Sequence, residues 1–226
     1  MSKAQRIFED LSKEWDERAL KYIPFYNEMV NTLISTIPFD ADKNIKVLDL
    51  GCGTGEIGRR IKEKFPVAVI ECVDMAANMI DVAKNKLSQY ADISFQVANF
   101  TDYSFDKKYD VIFSSLAIHH LEYVEQKQLY EKIYNALSDG GIFIQAEYIL
   151  GANEFLKDLN INSYYKLVRK NLTQEEFDDW IKRRNMHDID RPVKLAEHFS
   201  WMQGIGFKDI DVVWKKYQCA VFCGTK

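Results

Sequence analysis

Three glycines in residues 47–58, which read VLDLGCGTGEIG, stand in the spacing G-x-G-x-x-G: Gly53, Gly55 and Gly58. An apolar run precedes them, so the pattern predicts a tight turn between a buried strand and a helix. Such a turn lets a ligand approach the backbone N–H groups at the helix N-terminus. Asp74 follows about 20 residues later, where an acid accepts hydrogen bonds from ribose hydroxyls. These residues predict an adenosine-containing cofactor, and both NAD and S-adenosylmethionine fit.

Asp49 is the residue that discriminates between these two candidate cofactors. It stands two residues before Gly51, at the mouth of the predicted turn. A fixed carboxylate there would repel the negatively charged pyrophosphate of a dinucleotide. S-adenosylmethionine brings an ammonium and a sulfonium group, which the same carboxylate attracts, and the helix N-terminus can still face the methionine carboxylate. The position of Asp49 therefore favours S-adenosylmethionine over NAD.

Two adjacent histidines and one glutamate are candidates for chemistry beyond the cofactor. His119 and His120 come just after a predicted strand, and Glu147 lies near the end of the next, otherwise apolar strand. Ligands bind at the carboxyl edge of an open α/β sheet, and a histidine beside a carboxylate can act as a base near neutral pH. We predict that His119 and Glu147 face the acceptor and orient it or accept its proton. The alternatives are a structural His119, a packed His120 and a Glu147 exposed at the strand end.

A metal ion is the alternative for some of the same residues. His119, Glu147 and either His187 or His198 are suitable ligand types, but no local spacing among them defines a coordination geometry. We therefore predict no metal site. The four cysteines lack C-x-x-C spacing and are expected to be reduced thiols that pack in the core. They are Cys52, Cys72, Cys219 and Cys223.

Composition and charge narrow the class of protein. The 226 residues are 47% hydrophobic, enough for one sizeable core, and the formal net charge of -4 does not favour a nucleic-acid partner. The first residues are charged and lack the apolar segment of a signal peptide. No stretch approaches the roughly 18 apolar residues of a membrane span. We therefore expect a cytoplasmic protein with no membrane partner.

The elements that must position these residues alternate along the chain. Two amphipathic helical segments, at residues 2–22 and 24–37, come before the first strand, and five strands then alternate with helices over residues 45–150. Strands joined by helices pair in parallel through right-handed crossovers, which gives a sheet covered on both faces. Residues 151–205 carry helical periodicity and are predicted to form a lid. The last two strands are too close in sequence for a crossover, so they should form an antiparallel hairpin.

The predicted fold class is α/β: a Rossmann-like, doubly wound, seven-stranded mixed sheet with a C-terminal antiparallel hairpin and a helical lid. We expect one domain over residues 1–226. Its parts are an N-terminal helical flap (1–40), a cofactor-binding core (45–150), the lid insertion (151–205) and the terminal hairpin (206–226).

Aromatic and basic side chains in the predicted lid are further candidates for ligand contact. An aromatic group could enclose a cation, but its spacing is equally that of a helix pair packing on the core, which we favour. It consists of Tyr164, Tyr165, Phe177 and Trp180. The basic residues of KLVRK and KRRNMHD are expected to be solvated, with Arg169 the first candidate if one binds substrate.

Beyond the glycine turn, the chain resembles the class I S-adenosylmethionine-dependent methyltransferases. VLDLGCGTG is similar to the first motif of that family almost letter for letter. The similarity continues in order through VDMAANMI, VANFTDYSF, YDVIFSSLAIHHL and IYNALSDGGIFI, over residues 45–148. FYNEMV, the helical insertion and the closing GFKDIDVVWKKYQCAVFCGTK resemble small-molecule methyltransferases related to carboxy-S-adenosylmethionine synthase.

The resemblance implies a set of residues that contact S-adenosylmethionine. They are Gly51, Cys52, Gly53 and Ser115 for the methionyl part, Asp74 for the ribose, Met75, Asn99 and Phe100 for the adenine, and Tyr26 for closure over the cofactor. Asp49 joins this set through the charge argument. Many family members have Asp where this chain has Asn99, and Asn keeps an acceptor oxygen while losing the charge.

These observations predict an S-adenosylmethionine-dependent methyltransferase that acts on a small molecule, with His119 and Glu147 as catalytic residues. Three alternatives remain: a tRNA-linked methyl- or carboxymethyl-transferring enzyme, a non-catalytic S-adenosylmethionine-binding protein, and an NAD-dependent reductase. The expected partner is a small-molecule substrate, and a second copy of the chain stays open as another. The sequence leaves the methyl acceptor undetermined.

Overall fold

Short apolar strands form the centre of the molecule. The computed structural model describes residues 2–187 and 189–226, with the backbone alone for residues 183–187. Over these residues the strands are β1 (Lys46–Leu50), β2 (Val69–Asp74), β3 (Ile93–Val97), β4 (Tyr109–Ser115), β5 (Leu137–Leu150), β6 (Val193–Lys194), β7 (Lys208–Lys216) and β8 (Cys219–Thr225). All residues of β1 after its first are buried, as expected for a strand covered on both faces.

Helices connect the strands and cover the sheet. They are α1 (Lys3–Leu11), α2 (Trp15–Tyr22), α3 (Tyr26–Ser35), α4 (Glu56–Lys64), α5 (Ala77–Lys86), α6 (Tyr123–Ala136), α7 (Glu154–Val168), α8 (Gln174–His187) and α9 (Leu195–Ile205). The first predicted helical segment is two helices, because the chain leaves the helix after Leu11. There the Ser12 hydroxyl bonds back to the Glu9 carbonyl at 3.1 Å, a local bond that competes with helix propagation.

The strands form a mixed sheet in the order β3-β2-β1-β4-β5-β8-β7. The first five strands pair in parallel, and β8 lies antiparallel between β5 and β7. The predicted fold class, with its C-terminal antiparallel hairpin, is confirmed. The short strand β6 also pairs with β5, in the predicted lid, and it was missed because two residues show no periodicity.

The register of the parallel strands brings the candidate residues to one edge of the sheet. Leu50, the last residue of β1, pairs with Val73 and with Ser114. Ser115 at the end of β4 pairs with Ala146 of β5. The residues that follow these positions, including the glycine turn and Glu147, therefore share the carboxyl edge.

Two hydrophobic cores fill the two faces of the sheet. On one face, α3 and α4 bury residues such as Leu33 and Ile61 against the strands. On the other face, α6 and α9 bury Tyr130 and Met202. The four cysteines are buried thiols outside any disulfide, in agreement with the expected packing role. Over the described part of the chain, the helices are too short or too polar to cross a membrane.

The buried carboxylate of Glu71 links β2 to β4 and to the loop that precedes β4. Glu71 accepts hydrogen bonds from the hydroxyls of Tyr103 and Tyr109 at 2.9 and 3.0 Å, and from Nζ of Lys107 at 2.7 Å. Burial by itself raises the pKa of Glu71. The hydrogen bonds from Lys107 and the tyrosines outweigh burial, so the pKa lies below its ordinary value.

Replacing Glu71 tests this network through the pH dependence of stability. Because the pKa is lower in the folded chain, the carboxylate stabilises the fold above its unfolded pKa of about 4.3, and the contribution is lost as the pH falls through the folded value. We expect Glu71→Gln to lower the free energy of unfolding by about 1–3 kcal/mol at pH 7 and by less in acid. Urea unfolding at several pH values measures the difference. The exposed Glu175→Gln is the control, and equal losses for Glu71→Gln at every pH would contradict the network.

Candidate functional site

The glycine turn between β1 and α4 adopts backbone angles that favour glycine. Gly51, Gly53 and Gly55 have φ of +81°, +52° and +77°, in the left-handed region. A Cβ on Gly51 would also lie 2.4 Å from the Cβ of Ala117. The Gly51 N–H donates to the Val73 carbonyl at 2.8 Å, which ties the turn to the end of β2. The turn can therefore bring its backbone close to a ligand.

Asp74 lies against this turn from the end of β2. One of its carboxylate oxygens accepts from the N–H of Gly53 and the other from the N–H of Ala76, both at 2.9 Å. Burial raises the pKa of the carboxyl more than these donors lower it. Each oxygen keeps a second lone pair that can accept a hydroxyl hydrogen. The acid identified by its spacing thus stands beside the turn.

A cavity of about 60 Å³, which we name the glycine cavity, lies against the turn and the N-terminal helices. Most of the predicted cofactor residues line it: Tyr26, Gly51, Cys52, Gly53, Asp74, Met75, Phe100 and Ser115. Its other lining residues in the described chain are Phe8, Trp15, Thr54, Glu56, Ile57, Met79, Leu116, Ala117 and His120. The structure brings together most of the residues that the sequence indicated separately.

Two predicted cofactor residues, Asp49 and Asn99, lie outside this lining. Asp49 is buried in β1, and its Oδ2 has no hydrogen-bond partner among the described residues. Burial, and then the charge of Asp74, raise the pKa of Asp49 well above its ordinary value. A cation beside this oxygen would offset that cost, whereas a phosphate would increase it. Asn99 accepts from the Thr101 N–H at 3.2 Å through its Oδ1.

The helix α1 covers one side of the glycine cavity. Nε2 of Gln5 donates to the Met75 carbonyl at 2.9 Å. The Glu9 carboxylate accepts from the N–H groups of Ala77 and Asn78, both at 2.8 Å, so it caps the N-terminus of α5 from another helix. These partners are 68 to 70 positions apart in sequence, so no local pattern identified them.

Phe8 and Trp15 form an aromatic wall shared by two cavities. Their ring centroids are 5.6 Å apart, and Phe8 lies 5.1 Å from the ring of His120. A second cavity of about 640 Å³, which we name the histidine cavity, shares these three residues and Leu116 with the glycine cavity. Its other described lining residues are Ile7, Asp10, Leu11, Arg18, Ala19, Tyr22, Ile23, His119, Tyr148, Tyr164, Trp180, Ile189, Asp190 and Pro192.

His119 lines the histidine cavity and forms a buried pair with Glu147. Glu147 is absent from the described lining of both cavities, so the prediction that Glu147 itself faces an acceptor is wrong for these cavities. Nδ1 of His119 contacts Oε1 of Glu147, and the two side chains are 2% and 1% exposed. Oε2 accepts from Nε2 of Gln145 at 3.1 Å, and Oε1 from the Tyr148 N–H at 2.8 Å. Burial alone raises the pKa of Glu147, but the charge and hydrogen bond of His119 outweigh it and lower the pKa. The alternative that Glu147 is exposed at the strand end is wrong.

His120 and Asp190 lie next to this pair. Oδ1 of Asp190 is 3.4 Å from Nδ1 of His120 and 3.6 Å from Nε2 of His119. Burial and the neighbouring His119 lower the pKa of His120. Asp190 was not a candidate from sequence, because no motif surrounds it. The loop reaches the site because the Arg191 N–H donates to the His119 carbonyl at 2.6 Å.

His198 belongs to a different part of the molecule. It is buried in α9, where its Nδ1 lies 2.7 Å from the hydroxyl of Tyr130, and burial lowers its pKa to about 4. The side chain of His187 falls outside the described residues. In the described chain, the groups close enough to share a metal ion are His119, His120 and Asp190. The residues that converge are therefore not the ligand set considered from the sequence, which combined His119 and Glu147 with His187 or His198.

The aromatic residues of the predicted lid pack on one another and on α2. Trp180 stacks on Tyr22 with ring centroids 6.3 Å apart, and the Tyr164 hydroxyl donates to the Tyr22 carbonyl at 3.0 Å. Tyr165 and Phe177 pack on Trp180. These contacts agree with the favoured packing role. Tyr164 and Trp180 also line the histidine cavity.

The basic residue that lines the histidine cavity is not the predicted one. Arg169 donates to Oε1 of Gln174 at 2.5 Å and is absent from the described lining of both cavities. Arg18 of α2 lines the histidine cavity instead, with its guanidinium 4.9 Å from the ring centroid of Tyr22. Sequence reasoning missed Arg18 because it lies in a helix with charge all along its length.

Comparison with known proteins shows which chains and folds are similar. The methyltransferase domain family matches residues 47–141. A carboxy-S-adenosyl-L-methionine synthase of Campylobacter lari is 28% identical over 222 residues, which are 96% of this chain and 92% of that protein. Among solved structures, the DhpI-SAM-HEP complex superposes with a TM-score of 0.68 at 14% identity, covering 98% of this chain and 95% of that one. Human N-acetylserotonin methyltransferase in complex with SAM has a TM-score of 0.63 at 17% identity, covering 100% and 56% of the two chains.

A pair of glycine substitutions tests the geometry of the turn. We expect Gly51→Ala to lower the free energy of unfolding by about 1–3 kcal/mol, because the residue has positive φ and the new methyl group meets Ala117. Gly204 lies inside α9 with nothing within 4 Å of an added Cβ. Gly204→Ala should therefore stabilise the fold by about 0.5–1 kcal/mol. Thermal and urea unfolding measure both changes, and equal effects of the two substitutions would contradict this account of the turn.

Proposed function

We propose that this chain is a class I S-adenosylmethionine-dependent methyltransferase that binds S-adenosylmethionine at the glycine cavity and methylates a small molecule held in the histidine cavity. The observation that carries the proposal is the position of the histidine cavity, which shares four lining residues with the glycine cavity. Its volume of about 640 Å³ lies within the range of about 300–1,000 Å³ usual for small-molecule pockets. An acceptor bound there would lie directly beside the cofactor.

Three features around the glycine turn support this cofactor. Oδ2 of Asp49 is buried without a partner and would gain one from a cationic group. Asp74 keeps acceptor capacity for ribose hydroxyls. Gly51 leaves space where any side chain would clash. When bound, S-adenosylmethionine supplies a methyl group on a sulfonium, so the residues of the chain mainly position the acceptor and exclude water.

Binding also requires α1 to move. The glycine cavity has about 60 Å³, far below the roughly 300 Å³ at which small-molecule pockets begin. The helix is held by the Gln5 bond to Met75 and by the Glu9 cap on α5, and the Glu9 contacts lie at the exposed surface. Exposed polar contacts of this kind open at low cost in free energy. We therefore assign α1 as the element that admits the cofactor.

His119 and Glu147 act on the acceptor in this proposal. Glu147 contacts Nδ1 of His119. The other ring nitrogen, Nε2, lies 3.6 Å from Oδ1 of Asp190. From there the imidazole can orient the acceptor or accept its proton, and the Glu147 carboxylate stabilises the protonated ring. Glu147 is then the positioning residue of the pair.

A second candidate function follows from similarity along the whole chain. The Campylobacter lari relative, matched over 96% of this chain, is named for the synthesis of carboxy-S-adenosyl-L-methionine. On that alternative, S-adenosylmethionine is itself the substrate: its sulfonium methyl would lose a proton and gain a carboxyl group from a second, carboxyl-donating substrate, which the assay must include. Mass spectrometry of the adenosyl product separates the two functions, because a methyltransferase releases S-adenosylhomocysteine.

Thermal stabilisation by ligands tests the cofactor site. We expect S-adenosylhomocysteine at 100 times its Kd to stabilise the fold by about 2.7 kcal/mol, which is roughly 5–10 °C in Tm. NAD should give no shift. Asp74→Ala should remove most of the shift, whereas the exposed Asp102→Ala should keep it. Equal stabilisation by NAD would overturn the cofactor assignment.

Turnover measurements test the roles of His119 and Glu147. The assay is release of S-adenosylhomocysteine from S-adenosylmethionine over a panel of small acceptors, with tRNA as a separate arm. We expect His119→Ala and Glu147→Gln to reduce turnover roughly 100-fold and to leave S-adenosylhomocysteine affinity within a few-fold of the wild type. Glu154→Gln, an exposed change in α7, is the control. Full activity in both site variants would make the pair structural, and activity on tRNA alone would refute the small-molecule acceptor.

A further inference from the structure

We infer a binding site for a divalent transition-metal ion, of which Zn²⁺ is the best match, formed by His119, His120 and Asp190 at the histidine cavity. One ligand atom from each of the three residues lies within 4.8 Å of the other two. We assign these atoms as Nε2 of His119, Nδ1 of His120 and a carboxylate oxygen of Asp190, because these two nitrogens are the ones that approach Asp190. The shorter two separations, from Oδ1 of Asp190, are 3.4 and 3.6 Å. Ligands of tetrahedral Zn²⁺ with bonds of about 2.0–2.1 Å stand about 3.3–3.4 Å apart, so the ion fits with small shifts.

An unsatisfied nitrogen is the independent observation that points to a ligand here. Nδ1 of His120 is buried and makes no hydrogen bond within the described chain, although the ring is only 8% exposed. Its neighbour Oδ1 of Asp190 stands 3.4 Å away, longer than the 2.7–3.2 Å of an ordinary N–H···O hydrogen bond. A buried polar atom without a partner destabilises the fold, and a metal ion at this point would supply the missing interaction.

The residues around His119 are arranged like those that orient a metal-binding histidine. Glu147 is bonded to Nδ1, so Nε2, the atom near Asp190, is the nitrogen that would give up a proton and offer its lone pair to a metal ion. Metal-binding histidines are commonly held by a carboxylate in this way, which fixes the tautomer and the ring direction. Glu147 is itself fixed by Gln145 and by the Tyr148 N–H.

The third ligand is held in place from two sides. The Arg191 N–H donates to the His119 carbonyl at 2.6 Å, and Nε2 of Gln126 donates to the Arg191 carbonyl at 2.8 Å. These bonds anchor the loop one residue after Asp190. The N–H and the carbonyl of Arg191 are thus both hydrogen-bonded, and they keep the Asp190 carboxylate near the histidines.

The donor set indicates the kind of ion and its role. Two imidazole nitrogens and one carboxylate suit Zn²⁺ and its transition-metal neighbours, whereas Mg²⁺ and Ca²⁺ prefer oxygen ligands alone. Three protein ligands leave a coordination position open, as in catalytic zinc sites. All three residues line the histidine cavity. The role rests on the proposed function and keeps only its orienting part: an acceptor oxygen would occupy the open position, and His119, with Nε2 bound to the ion, would orient that oxygen through the ion and would not accept its proton.

Titration with Co²⁺ tests the site directly. The full chain is dialysed against EDTA, returned to metal-free buffer and titrated with Co²⁺, and the visible absorption of four-coordinate Co²⁺ is recorded. We expect one equivalent per chain, displaced by one equivalent of Zn²⁺. Absence of stoichiometric uptake of both ions by the wild type would overturn the site.

Substitutions locate the bound ion. His120→Ala and Asp190→Asn should each weaken Co²⁺ binding at least 10-fold, and Glu147→Gln about 10–100-fold through the loss of ring orientation. Glu122→Gln is the matched control, because this exposed acid pairs with Arg191 of the same loop at 3.3 Å. It should bind Co²⁺ within about two-fold of the wild type, since exposed ion pairs contribute little. Unchanged binding in Asp190→Asn, the mildest variant, would place the ion elsewhere and refute the assignment.

S-adenosylhomocysteine binding in the same metal-free samples separates the two proposals. Its binding without any metal uptake would leave the proposed function standing and refute the metal site. Stoichiometric metal binding without S-adenosylhomocysteine binding would leave the metal site standing and refute the proposed function. Retained S-adenosylhomocysteine binding by a variant also shows that it is folded.

Discussion

The buried negative charge of Glu147 is the constraint on which the centre of the structure depends. A carboxylate that is 1% exposed is tolerated only where its oxygens have partners. His119, the side chain of Gln145 and the Tyr148 N–H supply them. The end of β4 and the end of β5 are thereby fixed relative to each other, and His119 is held in one orientation at the histidine cavity.

The same network continues into the second core. Oε1 of Gln145 accepts from the hydroxyl of Tyr130 in α6, and that hydroxyl contacts Nδ1 of His198 in α9. Polar groups in such a chain strengthen one another, and the loss of one leaves its neighbours unsatisfied in a low-dielectric interior. The helices that cover the far face of the sheet therefore help to hold the candidate site, although neither contributes a ligand to it.

The two cavities are linked through α1. Phe8 belongs to this helix and lines both cavities, with its ring against Trp15 on one side and His120 on the other. A displacement of α1 that enlarges the glycine cavity must also change the wall of the histidine cavity. On the proposed function, cofactor entry and the shape of the acceptor site would be coupled by one helix.

Sequence alone determined the features that rest on local geometry. The spacing of the glycines and Asp74 follows from one strand-turn-helix unit, and the alternation of strands and helices over residues 45–150 implies the parallel sheet. The place of Asp49 beside the turn also follows from sequence, whereas its contact with the cofactor stays a prediction.

Only the tertiary structure decided which distant residues meet. Asp190 joins His119 and His120 across about 70 positions, and Glu9 caps α5 across 68. The burial of Glu147, in place of exposure at the strand end, depends on the helices and loop packed over that edge. Such contacts are set by the packing of whole elements, which brings together side chains that share no periodicity and no motif. For this reason the glycine turn could be predicted from the sequence, whereas the convergence of two histidines and Asp190 could not.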